Sequence, residues 1–275
     1  MDSMFIPTEA SALDKRITAA CQAVLSQTDR LESDLGNVKS EWKADGSRIT
    51  ETDIAISEAI LGQLSEAFPE DQGFSEELMT GDPIDVTSRY TWMLDPIDGT
   101  NNFAAGLTQC AISLALLEDG EPVYGVIYDV SRRRLMQGGV GRGMWDGPDQ
   151  VQVRQSRLTR SASVGFHSPR DEGKYPGHGE AIVTQCKVRA IGSSALHLAY
   201  VAAGMLDGVV DHNVKLWDIA AAVAMVRAAG GEVRFLANNP TPLRRFDLGM
   251  PRIFYVAGAT AMCDDLMAVL PGVET

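Results

Sequence analysis

Two aspartates three residues apart, Asp95 and Asp98, are the strongest candidates for chemistry in this 275-residue chain. They follow the apolar run Tyr90–Leu94, which predicts a short strand that ends at Asp95, and a strand end is rigid enough to aim both carboxylates at one point. Pro96 fixes a backbone φ angle, and Gly99 lets the backbone approach a ligand closely. Magnesium prefers oxygen ligands, so this spacing suits a magnesium site. Taken alone, the same pattern is also typical of an Asp-Pro turn with a solvated second aspartate.

Four other acidic residues could share a site with these two aspartates. Glu76 and Glu77 are adjacent, Asp53 stands three residues after Thr50, and Asp218 begins an alanine-rich helical pattern. Each has a purely structural alternative, because adjacent glutamates are usually solvated and an aspartate at a helix start could act only as a cap. The positions become informative when they are considered together.

Four segments around these acids resemble the signature elements of the inositol monophosphatase family. They occur in the family's order, with family-like separations, and are Ile49–Asp53, Phe74–Glu77, Trp92–Phe103 and Leu216–Gly231. The resemblance implies a magnesium-dependent enzyme that hydrolyses a small phosphate monoester with a metal-activated water. It also implies the fold, a layered αβαβα sandwich of mixed α+β and α/β character, of the inositol monophosphatase and fructose-1,6-bisphosphatase type.

The resemblance assigns expected roles to individual residues. Ligands for two or three magnesium ions are expected at Glu76, Asp95, the main-chain carbonyl of Ile97, Asp98 and Asp218. Catalytic roles are expected at Asp53, Thr100, Glu76 and Glu77, since the family counterparts of Asp53 and Thr100 orient the attacking water. Contacts with the substrate are expected at Lys43, Gly99, Thr100, Gly192, Ser193, Ser194 and Asp211.

Two departures from the family pattern leave the substrate open. Asp211 stands where many members carry a glutamate that binds substrate hydroxyls, and an aspartate is one methylene shorter. The segment from Lys43 to Ser47 looks more like the histidinol-phosphatase members and the 3′,5′-bisphosphate nucleotidase branch, whereas Asp95–Phe103 departs from the nucleotidase form. We therefore rank inositol monophosphate or a similar sugar or polyol phosphate first, histidinol phosphate second and a nucleotide bisphosphate third. The rival from another functional class is a non-catalytic regulatory protein that keeps the fold.

The composition excludes several other classes of protein. The chain has 24 Lys and Arg against 37 Asp and Glu, a net charge of −13, which argues against a nucleic-acid groove. Its apolar stretches fall short of the ~18 residues that span a bilayer, and its first residues lack the pattern of an export signal, so we expect a cytoplasmic protein. The resemblance further implies a homodimer and inhibition by lithium. Four widely separated cysteines are expected to be reduced, namely Cys21, Cys110, Cys186 and Cys263.

The elements that position these residues are predicted to alternate between helices and strands. Helices are expected over residues 9–31, from Thr50 onward with Ile54, Ile56, Ile60 and Leu64 as apolar positions, and over Ser193–Met205 and Asp218–Ala229. Further strands are expected at Ala111–Leu117, Val123–Tyr128, Val209–Val210 and Ile253–Ala257, with turns at Asp45-Gly46, Glu118–Pro122 and residues 138–147. We expect two units, residues 1–147 with most metal ligands and 148–275 with the last metal ligand and most substrate contacts.

Overall fold

The structure is a computed structural model that describes residues 11–43, 48–78, 82–169, 171 and 173–273. The helices are α1 (Ala12–Leu25), α2 (Thr28–Asp34), α3 (Glu51–Ala67), α4 (Thr100–Ala104), α5 (His178–Gln185), α6 (Ser194–Ala202), α7 (Leu216–Ala228) and α8 (Thr260–Val269). The first ten strands are β1 (Ser40–Trp42), β2 (Arg48–Thr50), β3 (Gln72–Ser75), β4 (Ile84–Asp85), β5 (Tyr90–Asp98), β6 (Ala111–Glu118), β7 (Glu121–Asp129), β8 (Arg134–Gly139), β9 (Gly143–Asp146) and β10 (Asp149–Val151). The others are β11 (Ser163–His167), β12 (Lys187–Arg189), β13 (Gly208–Val214), β14 (Glu232–Ala237), β15 (Arg245–Phe246) and β16 (Ile253–Gly258).

Two sheets organise the molecule. The larger has seven strands in the order β10-β9-β8-β7-β6-β5-β3, antiparallel except for the parallel pair β3 and β5. The smaller has five strands in the order β12-β11-β13-β16-β14. Its strands β12, β11 and β13 are parallel, and β16 runs antiparallel to both of its neighbours.

Helices cover both sheets and fill the space between them. Helices α1 and α3 bury their apolar side chains against one face of the seven-stranded sheet. Helices α6 and α7 lie between the two sheets, and α5 and α8 cover the outer face of the five-stranded sheet. The order helix, sheet, helix, sheet, helix confirms the expected αβαβα sandwich.

The central helix α7 is apolar on all sides because a sheet flanks it on each side. Every residue from Ile219 to Val226 is buried, whereas a helix at the surface would show one apolar stripe. The contact with β7 is close, since a Cβ atom on Gly125 would lie 2.1 Å from the carbonyl oxygen of Ala221. This packing fixes the first turn of α7, which carries Asp218.

The predicted first helix is wrong in its length, because the structure divides it into α1 and α2. The Ser26 hydroxyl donates to the carbonyl of Ala23, and the Thr28 hydroxyl donates to that of Leu25, so polar side chains satisfy the carbonyls at the end of α1. The predicted helix after Thr50 is confirmed with its capping box, in which Thr50 and Asp53 bond each other's backbone N–H groups. Within it Ile54 is 38% exposed, while the other three predicted apolar positions are buried.

The predicted strand after Tyr90 is longer than expected, because β5 continues to Asp98. Its pairing with β6 shifts register between Asp95 and Asp98, which lets the strand pass Pro96 without a complete ladder. The hairpin of β6 and β7 is confirmed, and its turn is formed by Asp119 and Gly120 at φ of 51° and 83°. The hairpin of β1 and β2 was not predicted, and the expected turn at Asp45-Gly46 lies outside the described residues.

The helix predicted over Ser193–Met205 is too long, because α6 ends at Ala202 shortly before Gly204, which has a positive φ angle of 66°. The other predicted elements correspond to α7, β13 and β16, and the glycine-rich segment 138–147 spans the hairpin of β8 and β9. All four cysteines are unpaired, as expected. Among the residues that the structure describes, no helix is both long and apolar enough to cross a bilayer. The division into two units near residue 147 stays a prediction.

Candidate active site

Three carboxylates from three separate elements converge at one end of a cavity. Oxygen atoms of Glu76, Asp95 and Asp218 all lie within 4.8 Å of one another. Glu76 and Asp95 are neighbours because β3 and β5 run parallel with Ser75 opposite Leu94, so each acid follows the same rung of the ladder. The third carboxylate comes from the first turn of α7.

This cluster is electrostatically unfavourable without a cation. Burial, together with the negative charge of Glu76, raises the pKa values of Asp95 and Asp218 well above the ordinary range. Crowded carboxylates that resist ionisation are stabilised by a hard divalent cation, and oxygen ligands are those that magnesium prefers. The donor set therefore fits magnesium.

Hydrogen bonds fix the orientation of the acids. Asp95 Oδ1 accepts from the Ile97 N–H at 3.1 Å, and Asp218 Oδ2 accepts from the Lys215 N–H at 2.8 Å. The Ile97 carbonyl, expected to bind a metal, accepts the Thr100 hydroxyl at 2.9 Å and keeps a second lone pair. The rigid strand β5 and the capped start of α7 thus preorganise the cluster.

Asp98 lies beside the cluster but is tied to the second half of the chain. Its Oδ2 accepts from the Ser193 hydroxyl and from the Ala195 N–H, the latter at 3.0 Å. Burial raises the pKa of Asp98 to about 6, although these hydrogen bonds favour the charged form. Since Oδ2 has two donors, any metal ligation by Asp98 would involve Oδ1.

Asp53 combines the structural role with an unused oxygen. Its Oδ2 accepts from the Thr50 N–H at 2.8 Å, as a capping residue does. Its Oδ1 is buried and has no hydrogen-bond partner among the described residues, an arrangement that a bound water or cation would relieve. Burial raises the pKa of Asp53 to about 6. The capping alternative is therefore true, and one oxygen remains for chemistry.

Lys43 binds the paired glutamates. Its Nζ lies 2.8 Å from Glu76 Oε1 and 2.6 Å from Glu77 Oε1, and these charges raise the lysine pKa against the effect of burial. Burial and the negative charge of Glu76 raise the pKa of Glu77 to about 7, although Lys43 opposes the shift. The Glu76–Glu77 pair is therefore part of the site rather than solvated. The contact of Lys43 with substrate stays a prediction.

The cavity has a volume of about 780 Å³ and contains most of the predicted residues. Those on its wall are Lys43, Glu76, Glu77, Asp95, Ile97, Asp98, Gly99, Thr100, Gly192, Ser194 and Asp218. Three predicted residues lie behind the wall, namely Asp53, Ser193 and Asp211. Sequence reasoning missed several others, namely Arg48, Ile49, Asn101, His167, Asn213, Lys215, Trp217, Leu248, Gly249 and Arg252.

Asp211 is fully buried beneath the wall of the cavity. It accepts the Ser194 hydroxyl at 2.8 Å and the Asn213 N–H at 3.0 Å, and His167 Nδ1 lies 3.5 Å from its Oδ1. The pKa of Asp211 is below its ordinary value because His167 and Asn213 outweigh the effect of burial. A direct contact with substrate stays a prediction, and in this structure the carboxylate supports Ser194 and His167.

Comparisons with known proteins agree with this geometry. The model of the inositol monophosphatase family matches residues 9–265. The chain is 37% identical to inositol-1-monophosphatase ImpA of Mycolicibacterium smegmatis over 199 residues, which cover 70% of this chain and 71% of that protein. It is 31% identical to Nus factor SuhB of Xylella fastidiosa over 229 residues, 80% of each chain. A solved structure, the IMPase of Thermotoga maritima, superposes with a TM-score of 0.79 at 25% identity and covers 94% of this chain and 97% of its own.

Proposed function

The chain belongs to the inositol monophosphatase family, an enzyme family of phosphoric monoester hydrolases. On this premise we propose that it hydrolyses a small phosphate monoester, with inositol monophosphate or a similar sugar or polyol phosphate as the first candidate. The observation that carries the proposal is the convergence of Glu76, Asp95 and Asp218 on the wall of a cavity large enough for such a substrate.

Magnesium is the proposed cofactor, at two or three ions per site. The residues that would hold it are Glu76, Asp95, Asp98, Asp218 and the carbonyl of Ile97, all on the cavity wall. When bound, magnesium would supply positive charge against the phosphate dianion and acidify the attacking water.

The protein's own groups would position water and handle its proton. Asp53 and Glu77 have pKa values near neutrality, at about 6 and about 7, so either can accept a proton at physiological pH. Thr100 begins α4 and its hydroxyl is held by Ile97, which fixes it beside the cluster. We assign Asp53 and Thr100 to orienting the water, with Glu77 in the same network.

The leaving alcohol would bind in the part of the cavity lined by the second half of the chain, which we call the alcohol end. Gly192 and Ser194 line this part of the cavity together with His167 and Asn213. The N–H groups of Gly99 and Thr100 would donate hydrogen bonds to the phosphate oxygens. Lys43 would contribute positive charge beside the phosphate. Histidinol phosphate and a nucleotide 3′,5′-bisphosphate are the second and third substrate candidates.

A substrate panel tests the proposal. Purified protein would be supplied with inositol 1-phosphate, histidinol phosphate, fructose 1,6-bisphosphate or adenosine 3′,5′-bisphosphate, with magnesium or with a chelator, and released phosphate measured. We expect magnesium-dependent release, fastest from inositol 1-phosphate. Absence of release from every substrate would contradict the proposal and favour the regulatory alternative, which the similarity to Nus factor SuhB supports. The presence of every expected carboxylate favours the enzyme.

The homodimer and inhibition by lithium stay predictions from the family resemblance, and the cytoplasmic location stays a prediction from the sequence. Chromatography with light scattering tests the homodimer, and phosphate release in tens of millimolar lithium tests the inhibition. Full activity under that condition would place the chain outside the lithium-sensitive branch.

A further inference from the structure

The side-chain amide of Asn102 joins the two loops that face each other across the site. Its Nδ2 donates to the carbonyl of Gln109 at 2.7 Å and to that of Ile191 at 2.8 Å. Gln109 lies between β6 and α4, which begins at Thr100, and Ile191 precedes Gly192. Gly99 and Thr100, whose N–H groups would bind the phosphate, form what we call the phosphate end of the site. One amide group therefore links this end to the loop that would hold the leaving alcohol.

The two partners fix the chemistry of this link. Both are backbone carbonyls, which only accept, so the amide nitrogen of Asn102 must face them and use one N–H for each. A carboxylate of the same shape has no donor and would place its oxygen against two carbonyl oxygens. The position therefore distinguishes asparagine from aspartate although the two side chains have the same size.

The loops have little room to move around Asn102. A Cβ atom on Gly192 would lie 2.9 Å from Asn102 Nδ2, and one on Gly99 would lie 2.9 Å from the Gln109 carbonyl and 3.2 Å from that of Gly192. Both glycines have positive φ angles, 90° at Gly99 and 75° at Gly192. The close approach of the two loops thus depends on the absence of side chains at both glycines and on the amide between them.

A further hydrogen bond, to a side chain on α6, holds the loop that contains Ile191. His197 on α6 accepts the Ile191 N–H at its Nε2, 3.1 Å away. Burial lowers the pKa of His197 to about 4, so the neutral ring accepts this bond at physiological pH. With its N–H bound to His197 and its carbonyl bound to Asn102, Ile191 is fixed at both polar atoms, whereas Ser193, two residues further on, is held by Asp98.

We propose that Asn102 is a positioning residue that sets the distance between the phosphate end of the site and the alcohol-binding loop, Ile191–Ser194. The expected effect on substrate binding rests on the proposed function. The hydrogen-bonded link between the two loops does not depend on it. Loss of the link frees Ile191 and Gly192 to move, although Ser193 stays bonded to Asp98, so binding of the whole substrate weakens while binding of phosphate alone is largely kept.

The experiment compares Asn102→Asp and Asn102→Ala with wild-type protein in magnesium. As a matched control, Asn239→Asp adds the same charge at an exposed amide that uses its oxygen as acceptor, from the Thr241 N–H. We expect both Asn102 variants to raise KM for inositol 1-phosphate about tenfold, as loss of two hydrogen bonds predicts, while the inhibition constant of inorganic phosphate changes less than about threefold. The control should match wild type in both constants.

Hydrogen exchange provides a readout that does not need activity. Amides of the alcohol-binding loop should exchange faster in Asn102→Asp, while those of the distant helix α8 should not. Unchanged exchange in that loop would overturn the proposal even if wild-type protein released no phosphate, so failure of the inference and failure of the proposed function are distinguishable. An equal rise in KM and in the phosphate inhibition constant would also overturn it, because Asn102 would then act on the phosphate end alone.

A double-mutant cycle covers the case in which Asn102→Asp does not fold. Gly192→Ala strains the backbone and brings a methyl group against the Asn102 amide, whereas Asn102→Ala removes that contact. The combined variant should therefore be more stable to heat than the sum of the single effects predicts. Additive effects would count against close contact between the two loops and would overturn the proposal.

Discussion

The metal end and the alcohol end of the cavity differ in how the protein stabilises their acidic side chains. At the metal end, Glu76, Asp95 and Asp218 are held together by a rigid sheet and a helix start although their charges repel. At the alcohol end, the single buried acid Asp211 is satisfied by donors from Ser194, Asn213 and the neighbouring His167. A bound cation would relieve the repulsion at the first end, whereas hydrogen bonds from the protein stabilise the charged carboxylate at the second. On the proposed function, reaction type and substrate choice would therefore depend on different parts of the cavity.

Removal of one acid from the metal end should have the largest effect. Asp218→Asn keeps the shape of the side chain and takes away one of the three charges. We expect magnesium-dependent phosphate release to fall by roughly 100-fold or more. The variant should also melt a few degrees higher than wild type in chelator, because it relieves repulsion in the metal-free state. The checks are a phosphate assay and thermal unfolding.

The matched control for this change is Asp29→Asn, another acid in the first turn of a helix, but exposed and remote from the cavity. It should behave like wild type in both assays. Wild-type activity in Asp218→Asn would remove Asp218 from the metal site. The proposed difference between a metal end that needs a cation and an alcohol end that does not would then fail.

Neutralising the acid at the alcohol end should have a smaller effect of another kind. Asp211→Asn removes the charge beside His167 and weakens the support of Ser194. We expect KM for the best substrate to rise about tenfold while kcat changes little, since charged hydrogen bonds of this type contribute about 1.5–3 kcal/mol. Steady-state kinetics would show the split. Asp207→Asn, a buried acid that immediately precedes β13 and accepts the Ser163 N–H, is the control and should change neither constant. A fall in kcat without a change in KM would show that Asp211 serves the metal end.

The difference between the two ends also explains what could be predicted from the sequence. Periodicity alone was enough for α3, α7 and the hairpin of β6 and β7. The layered architecture and the acids of the metal end followed from the family resemblance, because their spacing is set by local structure such as the capped start of α7. The proximity of Glu76 to Asp95 could not be derived from local patterns, since it depends on parallel pairing of β3 with β5.

The alcohol end was only partly predictable, for a physical reason. His167, Asn213 and Arg252 reach the wall from strands and loops that carry no motif, and only the packing of the five-stranded sheet brings them together. The depth of Asp211 is likewise a result of packing, because its shorter side chain leaves it beneath Ser194. No sequence pattern marks His167. It lies beside Asp211 because the parallel register of β11 and β13 places the two residues opposite each other.

The smallest of the expected effects concerns pH. The folded-state pKa values of Asp53 and Asp98 are about 6, and that of Glu77 is about 7, all above their ordinary values. Between the unfolded and folded pKa values the folded state binds more protons, so stability falls as pH rises through this window. His197 and His212, whose pKa values burial lowers to about 4, change stability in the opposite sense over part of the same range, so the contribution of the acids is measured as a difference between variants. In chelator, the melting temperature of Glu77→Gln relative to wild type should rise by a few degrees between pH 5 and pH 7.5, and magnesium should reduce that rise. A difference that stayed constant with pH would contradict the picture of a repulsive metal end.

The most direct test of the account is magnesium binding by Asp95→Asn, measured by calorimetry alongside phosphate release. Asp95 lies at the centre of the three-carboxylate cluster and is almost fully buried, with 3% of its surface exposed. Wild-type protein should bind magnesium and release phosphate only when magnesium is present. Asp95→Asn should bind the ion at least about tenfold more weakly and release almost no phosphate at the same concentration. Wild-type phosphate release by Asp95→Asn, with unchanged magnesium affinity, would remove Asp95 from the metal site and contradict the proposed role of the cluster.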